Sequence, residues 1–122
     1  MALPHRVLIK THHMTSRTKI QTITKAAKRL SCSVLLKIGD PPGIMLAEGE
    51  GALEWMETVR RLRYKDYQLL KKEAIKEYRL DVPIGSVKEL TSMKDLGAFL
   101  SRDDQIYRWW RVNMGYVKDG EE

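Results

Sequence analysis

Residues Cys32 to Gly51 read CSVLLKIGDPPGIMLAEGEG, and this stretch decides the fold. Two short apolar runs, Val34-Leu35-Leu36 and Ile44-Met45-Leu46-Ala47, flank Gly39-Asp40-Pro41-Pro42-Gly43. Each run is too short for a helix, and the link is dense in residues that set turn geometry. Proline fixes φ and removes a ladder donor, while glycine reaches φ > 0 without a Cβ penalty. The pattern predicts a β-hairpin with a stiff, slightly wide tip.

Working outward, the chain before the hairpin reads strand then helix. In His5 to Thr11, Val7 and Ile9 share one face, with Arg6, Leu8 and Lys10 on the other. Thr15-Ser16 supplies an N-cap, and Ile20, Ile23, Ala27 and Leu30 then recur at helical spacing. After the hairpin, Leu53, Met56, Val59 and Leu62 form a second helical stripe. Glu54 and Glu57 precede Arg60, Arg61 and Arg63, a polarity that complements the helix dipole. Tyr67 to Ala74 reads as a fourth, half-exposed strand. The order β-α-β-β-α-β is a split βαβ pattern, so the expected class is α+β: a ferredoxin-like antiparallel sheet with two helices on one face.

Beyond Tyr78 the expectation is a loop, Arg79 to Gly85, followed by additional C-terminal helices. Ser86-Val87-Lys88-Glu89 has the form of a capping box and predicts a helix through Leu100. Ser101 to Asp104 restarts a helix through Ile106, Trp109, Trp110 and Met114, which Gly115 stops. Lys118 to Glu122 reads as a polar, frayed tail. The expected organisation is one domain over 1–122, with its core at about 5–76 and a helical extension at about 86–115, excised from a longer protein.

Composition narrows the function classes. The 22 lysines and arginines outnumber the 16 aspartates and glutamates, giving +6. Such a balance suits a polyanionic partner, though it also serves plain solubility. The single cysteine, Cys32, rules out an internal disulfide framework and points to a reducing compartment. No apolar run approaches the roughly 18 residues of a membrane span. The chain is therefore expected to be intracellular, nuclear or cytoplasmic, with no membrane partner.

No residue cluster forms catalytic machinery. His12 and His13 are adjacent at a strand end, where side chains point to opposite sides, and no ligand spacing surrounds them, so no metal is expected. Cys32 is expected to be a buried, inert thiol. Gly49-x-Gly51 lacks the third glycine and the lysine of phosphate-cradling fingerprints, and Glu48 and Glu50 would repel phosphate; a tight turn is the expected role. An enzyme of acylphosphatase-like geometry would need a cradle after the first strand, which His12 to Ser16 does not supply. Catalytic residues and cofactors are thus expected to be absent.

Two surfaces are candidates for binding. Arg17, Lys19, Lys25 and Lys28 on the first helix, with Arg60, Arg61 and Arg63 on the second, suit phosphate contacts to a structured small RNA. The central strands carry aliphatics rather than base-stacking aromatics. Trp109 and Trp110 are the candidates for docking a protein partner, against the alternative that both pack in the core.

A set of short motifs also resembles a known family. It comprises His12-His13 with Ser16-x-x-Lys19, Asp40-Pro41-Pro42-Gly43, Ala47-Glu48-Gly49, and Glu54-Trp55 through Val59-Arg60 to Tyr64. Together they resemble the domain that follows the RWD domain in RWD-domain-containing proteins. That domain is similar to the C-terminal domain of the spliceosomal pre-mRNA-processing factor 3. The resemblance implies a ferredoxin-like fold and a non-catalytic RNA-binding module, linked to RNA processing. The alternative it leaves is a protein–protein interaction domain with no nucleic-acid role.

Overall fold

The structure is a computed structural model that describes residues 3–118. Its elements run β1 (His5–Thr11), α1 (Arg17–Arg29), β2 (Ser33–Lys37), β3 (Gly43–Gly49), α2 (Ala52–Arg61), β4 (Gln68–Ala74), β5 (Val87–Leu90), α3 (Met93–Leu100) and α4 (Asp104–Asn113). Five strands form one sheet in the order β4-β1-β3-β2-β5. The first four follow the expected ferredoxin-like pattern, with β1 antiparallel to β3 and β4, and β2 antiparallel to β3. Of the tail, residues 119–122 lie outside the described part.

The hairpin forms as its residues predict. Leu35 faces Leu46 and Lys37 faces Ile44 across the ladder. The turn contains a cis Pro41–Pro42 bond. Lys37, only 4% exposed, closes the turn with its ammonium. Its Nζ donates to the carbonyl oxygens of Asp40 and, at 3.0 Å, of Pro42. A buried lysine is thus satisfied by two acceptors that the turn would otherwise leave unpaired.

Both faces of the three central strands, β1, β3 and β2, are buried. On the first, Val7, Ile9, Val34, Leu36, Met45 and Ala47 pack against α1 and α2 through Ile20, Ile23, Ala27, Trp55 and Val59. On the second, Leu8, Leu35, Ile44 and Leu46 pack under Leu96, Phe99 and Leu100 of α3 and Ile106 and Trp110 of α4. Each leucine buried this way contributes about 1.5–3 kcal/mol. The two C-terminal helices therefore complete a third layer.

One expected element changes type. Ser86-x-x-Glu89 does not start a helix: Val87–Leu90 is a strand, parallel to β2, with Val34 opposite Val87 and Lys37 opposite Leu90. The free edge of β2 offers a row of ladder groups, and tertiary pairing overrides a four-residue local motif. The strand also uses its apolar ends on opposite sides, Val87 against the first cluster and Leu90 against the second. The true N-cap of α3 is Ser92, whose Oγ accepts from Asp95 N at 3.0 Å.

Candidate partner-docking groove

The second face carries a groove of about 450 Å³ between the β1–β4 side of the sheet and α4. Register explains its floor. Arg6 of β1 pairs with Glu73 of β4, and Leu8 with Lys71, so Arg6, Lys71 and Glu73 emerge on one face. Helix α4 supplies the wall. Gln105, Arg108, Trp109, Val112 and Asn113 line the groove at helical spacing, while Ile106 and Trp110 turn into the core. Asp103 starts that helix: its Oδ1 accepts from Gln105 N at 2.9 Å and Ile106 N at 3.1 Å.

Polar contacts hold the lining in place. The Trp109 Nε1–H donates to Glu73 Oε1. The Arg6 guanidinium lies 5.2 Å from the centre of the Trp109 ring, a cation–π distance. Arg6 is 7% exposed and donates through Nε to Glu48 Oε2 at 2.6 Å. Arg79 reaches Glu77 Oε2 at 2.8 Å and Asp103 Oδ2 at 3.3 Å. Burial raises the Asp103 carboxyl, but the N–H donors of Ile106 and Gln105, with Arg79, outweigh it and leave the pKa lowered.

The two tryptophans expected to share one role are divided by the fold. Trp110 is 4% exposed and belongs to the core. Trp109, half-buried, lines the groove. The groove's other members, Arg6, Lys71, Arg79 and Arg108, escaped the sequence reading because they come from four separated segments. Of the α4 wall, only Trp109 was singled out by the sequence, in the stretch with Ile106, Trp110 and Met114.

The seven basic candidates fall on or beside α1 and α2, in the layer opposite the groove. Arg17 is bound to Glu89 of β5, at 2.9 and 3.2 Å. Arg60 is held by Glu57 at 2.9 Å. Lys19 sits 4.8 Å from the centre of the Tyr64 ring. Lys25, Lys28, Arg61 and Arg63 are exposed.

The remaining motifs are structural. β1 ends at Thr11, so His12 and His13 do not diverge as a strand would require; their Nδ1 atoms lie 2.8 Å apart. Among the described residues, no group of three His, Cys, Asp or Glu side chains could hold a metal ion. Burial pushes the Cys32 thiol up to about 11, which leaves it protonated and unreactive at neutral pH. At Gly51 a Cβ would strike the Leu30 carbonyl oxygen and sit 2.8 Å from Leu30 Cβ, so Gly49-x-Gly51 is a close-packed turn. Among the described residues, no helix is long and apolar enough to cross a membrane.

No protein-family model matches the chain, and no curated protein does. Its likeness is to solved structures. The BLUF domain of BlrP1 matches with a TM-score of 0.64 at 14% identity, covering 100% of this chain and 95% of that one. BlsA in its photo-activated state matches at 0.59 and 13%, covering 98% of each chain. A bacterial light-regulated adenylyl cyclase matches at 0.54 and 18%, covering 94% of this chain but 37% of that longer one. At such identities the likeness defines the fold alone.

These findings correct two expectations. The resemblance to the RWD-associated domain and to pre-mRNA-processing factor 3 is overturned. No family model supports it, and the structural neighbours are BLUF proteins. RNA binding as the main function falls with it, because the solved structures that share the fold are a photo-activated BlsA and a light-regulated adenylyl cyclase. The physical reason lies in the motifs themselves. Asp40-Pro41-Pro42-Gly43 and Ala47-Glu48-Gly49 mark a hairpin turn and a strand end, which this fold requires whatever the chain binds.

Proposed function

We propose that the chain is a non-catalytic protein-interaction module that docks a partner in the groove between β4 and α4. The observation that carries this is the placement of Trp109. Trp55 and Trp110 are 0% and 4% exposed, whereas Trp109 stands in the groove wall among arginines. Tryptophan and arginine are the residue types that most often anchor interfaces. The fold's occurrence as part of a longer light-regulated cyclase supports a role beside an effector. With the RNA reading gone, nothing favours a nuclear location.

A second reading, a light response, is favoured by the structural neighbours and tested by the packing. Side chains do not absorb visible light, so such a response needs a bound conjugated group in a shaped cavity. Here the space between α1 and α2 is taken by Trp55, whose Nε1 donates to Ile23 O at 3.2 Å. Ile20, Ile23, Met14 and Met45 around it are at most 1% exposed. The layer between α1, α2 and the sheet is thus filled by this chain's own buried side chains. The residues do not fit a chromophore there.

The test is a peptide-display selection against the full chain, repeated with Trp109→Ala. Ligands that need Trp109 and stay bound at high salt are the expected result. A selection that yields no Trp109-dependent ligand sinks the proposal.

A further inference from the structure

Resting on the docking reading, we infer that the groove's partner presents an acidic peptide segment. The lining is polarised. Four cationic side chains, Arg6, Lys71, Arg79 and Arg108, face the groove, against one carboxylate, Glu73. The carboxylates that hold Arg6 and Arg79, namely Glu48, Glu77 and Asp103, are not part of the lining. Within the lining itself cations therefore outnumber carboxylates, and Glu48, the counter-charge of Arg6, is 0% exposed and out of a partner's reach.

Anchoring sharpens the preference. Arg6 is 7% exposed and fixed between Glu48 and the Trp109 ring, so it costs little rotamer entropy to use. Lys71 is exposed at the rim, where a charge governs steering and partner choice. Glu73 already receives the Trp109 Nε1–H, which leaves the lone acidic side chain partly occupied. A volume of about 450 Å³ accommodates a few side chains of a peptide. A peptide fits better than a nucleic acid strand, which needs several stacking rings, whereas the groove has one, flanked by Arg6.

The test pairs two labelled peptides of equal length, each with one aromatic residue, one otherwise Asp/Glu-rich and the other Lys-rich. They are titrated into the full chain by fluorescence anisotropy, with a single-stranded RNA oligonucleotide as competitor. The acidic peptide binds and the basic one does not. Lys71→Glu weakens binding about tenfold and Glu73→Gln strengthens it about threefold, as charge complementarity requires. Both substitutions sit on an exposed edge strand, and damage to the fold would not move affinity in opposite directions. Equal binding of both peptides, no response to Lys71→Glu, or equally tight competition by RNA overturns the inference. Should display yield Trp109-dependent ligands that are neutral or basic, the inference fails while the docking reading stands. If it yields no Trp109-dependent ligand, the docking reading itself fails.

Discussion

Glu48 Oε2 lies 2.6 Å from Arg6 Nε, and this buried pair ties the C-terminal third of the chain to the central sheet. The same carboxylate accepts, through Oε1, from Arg79 N at 2.9 Å and Leu80 N at 2.8 Å. Glu48 is 0% exposed, so its charge is satisfied wholly by protein donors. Removing the carboxylate would leave the buried Arg6 without its ion-pair partner and free the linker from the sheet. Glu48→Ala is expected to destabilise the chain by about 3–5 kcal/mol. Glu48→Gln, which keeps one acceptor oxygen, is expected to cost less. Urea unfolding of both variants checks the order; equal, small losses would show that the pair does not hold the linker.

The turn into α2 makes a sharper steric prediction. Gly51→Ala places a methyl against Leu30, whose carbonyl and Cβ cannot both withdraw without moving the end of α1. A loss of about 1–3 kcal/mol follows from overpacking. Thermal melts measure it, and an unchanged melting temperature would contradict the close contact.

Asp103 joins α4 to the groove through Arg79 and caps the helix. Asp103→Ala is expected to cost about 0.5–2 kcal/mol. Because its folded pKa is lowered, its contribution is present above the ordinary 3.8 and is lost as pH falls through the lower folded value. Acid titration followed by circular dichroism should therefore show the Ala variant converging on the parent at low pH. A constant difference at every pH would argue that the charge plays no part.

Cys32 provides a basic-side counterpart. Burial raises its thiol from 9.0 to about 11, so the stabilisation is complete below pH 9 and declines as pH rises toward 11. Labelling by a thiol reagent at neutral pH should be slow and should track unfolding. Rapid labelling of the folded chain would show that the α1–β2 corner opens.

The packed first layer predicts that the purified chain absorbs only in the aromatic ultraviolet band. Addition of a conjugated ligand followed by gel filtration should leave it colourless. Co-elution of a coloured species would show that Trp55 yields its place.

Much of the fold was legible because its signals are local. The Pro-Gly turn between two apolar runs, the Ser16 cap and the helical stripe at Ile20, Ile23 and Ala27 each follow from neighbours within a few residues. Even the covered second face left a trace: Val34-Leu35-Leu36 and Ile44 to Ala47 are continuous apolar runs, which only a sheet buried on both sides needs. The strand at Val87–Leu90 was not legible, since its local pattern is that of a helix cap and its ladder partner lies some fifty residues earlier.

The sequence by itself thus determined the ferredoxin-like core, the inertness of Cys32 and the structural role of Gly49-x-Gly51. Tertiary structure alone decided which tryptophan faces outward, and it drew Arg6, Lys71, Arg79 and Arg108 around Trp109. The physical reason is range. Turns, caps and stripes depend on φ, hydrogen bonds and side-chain spacing along a few residues, whereas a groove depends on strand register and on where α4 comes to rest. Those are settled by burial summed over the whole chain, with Glu48 and Arg6 fixing the final position.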